Sequence, residues 1–111
     1  LRPRGDAVNR AANRLRGEAM LQLGDRPILL RPSFAALVAA EEELGPLFAL
    51  VERAAIGQLK MSEMVALFWH CRFDAPDDLD RAGFAEAVAA HGIAANTPVL
   101  KVLLGQILSG Q

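Results

Sequence analysis

The run Phe68-Trp69-His70-Cys71-Arg72-Phe73 sets the only cysteine of the chain beside one of its two histidines. A thiol paired with an imidazole is the usual apparatus of a cysteine nucleophile, and both groups ligate zinc. Neighbouring residues on a helix point about 100° apart, so His70 and Cys71 do not converge on one metal ion or one reacting atom. Zinc needs three or four ligands at motif spacing, and the second histidine, His91, stands twenty-one residues further on. A Cys71–His91 pair would need an orienting group behind the imidazole, and nothing in the sequence requires one. Packing is the simpler role. Met64, Leu67, Phe68 and Cys71 form one helical stripe, with Val65 and Trp69 on an adjoining one. A free cysteine in such a stripe behaves as a small buried hydrophobe. Trp69 is expected at the core edge, and His70 at solvent or a helix end.

The remaining reactive residue types are equally sparse. Ser33, Ser62 and Ser109 are the only serines, and the first two occupy helix-cap positions. The acids at 74, 77, 78 and 80 lack the glycine and the closing glutamate of a calcium loop. No glycine-rich phosphate loop is present. Glu41, Glu42 and Glu43 stand near the C-terminus of a helix, where the macrodipole disfavours acids. A solvated face is the ordinary reason for such a run, and a docking surface for a basic partner is the sharper one. The expectation is a non-enzymatic protein with no catalytic residue, no cofactor and no metal.

The elements that would position these residues read as follows. Residues 1–31 carry seven arginines against three acids, and residues 32–111 carry five basic residues against ten acids. Residues 1–16 read as a flexible basic arm, and 17–111 as one domain. Ala19, Leu21 and Leu23 alternate with Glu18, Met20 and Gln22, Gly24-Asp25 is a turn signal, and Ile28-Leu29-Leu30 resumes the extended run. This predicts a β-hairpin over 18–31. Two strands alone are marginal in water, so the hairpin edges are one place where a partner would bind. Helices are expected at about 33–44, 46–56, 62–73, 80–91 and 97–109. Ser33, Ser62 and Thr97 serve as N-caps, Pro98 stands at a first helical position, and Gly45, Gly57 and Gly92 act as stops. Phe34, Leu37, Val38, Glu41 and Leu44 share one helical face, apolar except for Glu41. The last helix is apolar round most of its circumference, so it is either central to the core or covered by a partner. The fold class is therefore mainly α with an N-terminal β-hairpin (α+β), a small single domain of about four to five helices.

Composition narrows the class of function. A net charge of −1 favours neither nucleic acid nor membrane, although the basic arm keeps a small transcriptional regulator among the readings. The single cysteine suits a reducing cytoplasm. The opening residues hold no apolar run of the signal-peptide kind, and the longest apolar run, Val65 to Cys71, is far shorter than the roughly 20 residues that span a bilayer. Ten arginines against two lysines, with abundant alanine, point to a GC-rich bacterial genome.

Residues 12–55 also carry a recognisable pattern. It comprises an Asn-x-x-Arg-Gly-Glu run from Asn13 to Glu18, a Leu-x-Leu-Gly hairpin from Leu21 to Gly24, and Leu-Arg-Pro-Ser-Phe-Ala-Ala-Leu from Leu30 to Leu37 leading into an acidic helix. With the apolar stretch 65–71 and the closing stretch 97–108, it resembles a family encoded in the tail-morphogenesis clusters of gene transfer agents and siphophage-like prophages. That family is regarded as tail assembly chaperones and has also carried the label of tail tube protein. The resemblance implies a cytoplasmic factor that binds the aggregation-prone tape measure protein before the tail tube polymerises around it. The tail tube protein is a further implied partner, self-association stays open, and no enzymatic residue is carried over. The alternative is a structural tail component, tube or connector, although tube subunits are expected to be mainly β. The residues expected to meet a partner are Leu21 and Leu23 on the hairpin, Glu41, Glu42 and Glu43 on the acidic helix, and Leu100, Leu104 and Leu108 on the last helix.

Overall fold

In the computed structural model, residues 18–73 and 78–109 are described. The arm expected at 1–16 lies outside them. Strand β1 (Ala19–Leu23) turns through Gly24, whose φ is +65°, into β2 (Arg26–Leu30). The pairing is antiparallel, with Leu21 opposite Ile28 and Leu23 opposite Arg26. Alternation is the cause of the arrangement: Ala19, Leu21, Leu23, Ile28 and Leu30 are all buried, while Gln22 and Pro27 are exposed. Five helices follow: α1 (Phe34–Leu44), α2 (Leu47–Ala55), α3 (Met61–Cys71), α4 (Arg81–His91) and α5 (Ile93–Ser109). The protein is mainly α with an N-terminal antiparallel hairpin. Its core joins Leu21, Ile28 and Leu30 to Leu50, Leu67, Phe68, Phe84, Val88 and Leu103.

Local chemistry explains most boundaries. The Ser33 hydroxyl accepts from the Ala36 N–H at 3.2 Å, and Asp80 Oδ1 accepts from the Gly83 N–H at 2.8 Å. Gly45 (φ +85°) ends α1, and Pro46 leads into α2.

Three expectations need correction. The third helix stops at Cys71 rather than 73, because Arg72–Phe73 form a short strand, β3, beside β2. The unpaired edge of the hairpin offers hydrogen bonds that a continuing helix could not satisfy, and the sheet order becomes β1-β2-β3. Ser62 lies inside α3; the turn is closed instead by Glu63, whose carboxylate accepts from the Lys60 backbone N–H at 2.9 Å. The last helix begins at Ile93, one turn before Thr97, so Pro98 sits inside it. Asn96 explains that early start. It is fully buried, and its Nδ2 donates to the Val88 carbonyl at 2.9 Å, tying the first turn of α5 to the end of α4. Thr97 is thereby turned away from capping, and its hydroxyl donates to the Ile93 carbonyl.

Candidate functional site

The Phe68–Phe73 cluster is dismantled by geometry. Phe68 and Cys71 are fully buried, and burial pushes the Cys71 thiol up to about 12. Trp69 sits at the core edge against Phe84, with ring centroids 5.5 Å apart, and the Arg72 guanidinium lies 3.3 Å over its ring. His70 stands at a helix end, in the last turn of α3, where its Nε2–H donates to Glu43 at 2.7 Å. Phe73 carries the Arg31 guanidinium 3.7 Å over its ring, while Arg31 Nε also donates to the buried Glu18 at 2.6 Å. Among the described residues no three His, Cys, Asp or Glu side chains gather as a metal site.

The acidic run is divided among three tasks. Glu41 accepts the Leu47 N–H at 3.2 Å, satisfying one open donor at the start of α2. Glu43 is held by both donors of Arg81 and by His70, and these bonds bring its carboxyl down to about 2. Glu42 is exposed.

The leucines expected to meet a partner separate likewise. Leu21 and Leu23 are buried, because the alternation that aligns them turns that stripe toward the helices. Their side chains support the core and do not face a hairpin edge. Leu100 and Leu104 are half-buried against the core, and Leu108 is 62% exposed.

The most exposed large apolar side chains among the described residues lie elsewhere. Phe34 on α1 is 85% exposed and Phe48 on α2 is 79% exposed. Together with Leu37, Val38, Glu41, Leu47 and Ile107 they line a groove of about 240 Å³. Phe34, Leu37, Val38 and Glu41 do share a face, and Phe34 and Val38 on it turn outward rather than into the core. Helix α1 buries its alanine stripe, Ala36 and Ala40, keeps Leu37 and Leu44 half-buried against the core, and leaves Phe34 and Val38 outside. Small residues let α1 approach α3 closely, and Phe34 and Val38 are then turned outward. A phenylalanine at i, with aliphatics at i+3 and i+4, is the pattern that sequence reasoning assigns to a core; the competing signal was the alanine pair one step round the helix.

A family described as phage tail tube protein, GTA-gp10, matches residues 16–110. The chain belongs to this family. No curated protein and no solved structure matches it. Membership makes this a tail-related protein of the gene transfer agent type, with tail-associated partners. The match takes in every described element, so the groove is part of the shared domain. Among the described residues no single helix is long and apolar enough to cross a membrane.

Proposed function

We propose that the protein is a non-enzymatic assembly factor of a phage-like tail, a cytoplasmic chaperone that holds the tape measure protein before the tail tube polymerises around it. The groove between Phe34 and Phe48 carries this reading. A fully buried phenylalanine stabilises a fold by roughly 1.5–3 kcal/mol relative to an exposed one. Two exposed phenylalanines on neighbouring helices forgo that gain, and a long apolar client restores it. Leu108, next in sequence to the groove residue Ile107, extends the same apolar end of α5.

A structural tail component is the second reading, favoured by the family's description as a tail tube protein. A tube subunit is expected to be mainly β. The described strands are two of five residues and one of two, which leaves little edge for joining subunits. Mass spectrometry of purified particles separates the readings. The chaperone is expected to be absent or far below stoichiometry, and to capture the tape measure protein when the two are co-expressed. Stoichiometric copies in the finished particle would overturn it.

A further inference from the structure

The charges around the groove say what kind of segment enters it. Val38 and Glu42 are one turn apart on α1, as are Phe48 and Glu52 on α2, so each acid stands on the same helical face as an exposed apolar residue. Glu41 lies in the groove wall itself. Among the described residues, the arginines of α2 and α4 are engaged with other acids. Arg53 pairs with Glu63, and Arg81 pairs with Glu43. Glu42 and Glu52 have no ion-pair partner among the described residues. The cation on α5, Lys101, stands six residues before Ile107, about 9 Å along the helix axis. The groove is therefore an apolar trough with acidic walls. Its volume falls below the roughly 300–1,000 Å³ of small-molecule pockets, and suits one or two anchoring side chains.

We infer that this groove takes a basic amphipathic helix, its apolar anchors seated between Phe34 and Phe48 and its flanking lysines or arginines against Glu41, Glu42 and Glu52. This is the helix-in-groove mode, read through anchors spaced at i, i+3 or i+4 and i+7. A second copy of this chain is the poorer occupant, since two such faces would bring like charges together. The inference rests on the chaperone reading for its donor chain, so the helix belongs to the tape measure protein.

The test uses two fluorescein-labelled 18-residue helical peptides with the same leucine face, one flanked by lysine and one by glutamate. The lysine peptide is expected to bind the intact protein about tenfold or more tighter, with the gap narrowing as salt is raised. Phe34→Ala with Phe48→Ala is expected to weaken it about tenfold or more while the circular-dichroism melt is retained. Glu42→Lys with Glu52→Lys is expected to reverse the preference between the peptides. Equal binding of both peptides, an unmoved affinity in the phenylalanine pair, or concentration-dependent dimers abolished by Phe48→Asp would overturn the assignment. Co-expression keeps the two levels apart. Capture of the tape measure protein that survives the phenylalanine pair overturns the groove and leaves the chaperone standing. Lysine-peptide binding without any capture by the wild-type protein overturns the donor chain.

Discussion

Glu43 joins three elements through one carboxylate, accepting from His70 on α3 and from Arg81 at the start of α4 while itself near the end of α1. Its pKa is lowered from 4.5 to about 2, first by the hydrogen bond from Arg81 and then by that from His70. A depressed carboxylate stabilises the fold above its unfolded pKa and ceases to do so as pH falls through the folded value. Acid titration should therefore reveal a loss of stability between about pH 4.5 and 2 that Glu43→Gln flattens. Both partners are partly exposed, so the effect is expected to be about 1 kcal/mol or less and to shrink with salt. Cys71 gives a second prediction at this scale. With its thiol at about 12 and no exposed surface, it should resist a thiol reagent at pH 8 and react only as fast as the protein opens. Rapid stoichiometric labelling of the native protein would contradict this. Cys71→Ser puts a hydroxyl in an apolar site and is expected to cost about 1–3 kcal/mol without changing partner capture.

Between α4 and α5 the chain turns through 112° at Gly92, whose φ is +95°. The bond from Asn96 to the Val88 carbonyl satisfies one of the last acceptors of α4, which helix geometry leaves open. Asn96→Ala should cost about 1–3 kcal/mol, visible as a lower thermal midpoint, because the buried carbonyl is left unpaired. On α5, Leu108→Glu should leave the melt in place, whereas Leu104→Glu should lower it by about 2 kcal/mol, since Leu104 packs on the core and Leu108 does not. These elements also mark where the sequence is legible. The hairpin could be read from alternation, and α1 from Ser33 and Gly45, because those signals are local. The start of α5 could not, since Thr97-Pro98 makes a better cap on paper than Ile93, and the bond that overrides it reaches eight residues back. The outward face of α1 was hidden for the same kind of reason: burial of Ala36 and Ala40 depends on how closely α3 approaches, which no local pattern records.

At the scale of the molecule, the groove floor is shared with the core through Leu37, Leu47 and Ile107, whereas its two phenylalanines stand apart from it. Phe68, Phe84 and Leu103 sit in the core, while Phe34 and Phe48 contribute almost nothing to it. Replacing both outward phenylalanines by alanine is expected to change unfolding free energy by no more than about 0.5 kcal/mol, the range of ordinary surface substitutions. A larger loss in a denaturant melt would mean that the groove is structural. The charges follow the same division, since Glu42 and Glu52 share helical faces with groove residues and have no ion-pair partner among the described residues.

The two-residue strand β3 has a consequence for synthesis. Leu30 pairs with Arg72, 42 residues further along the chain. A nascent hairpin leaving the ribosome waits for that partner about 2–8 s at roughly 5–20 residues per second. During that interval the Leu29–Leu30 edge is open, and α3, which supplies Leu67 and Phe68 to its apolar face, is still being made. Two strands do not hold alone in water, so the hairpin, though it precedes every described helix in the chain, is among the last of the described elements to be secured. Ribosome-bound chains stalled before Arg72 emerges should show no protected hairpin amides, and those stalled beyond Phe73 should begin to show them.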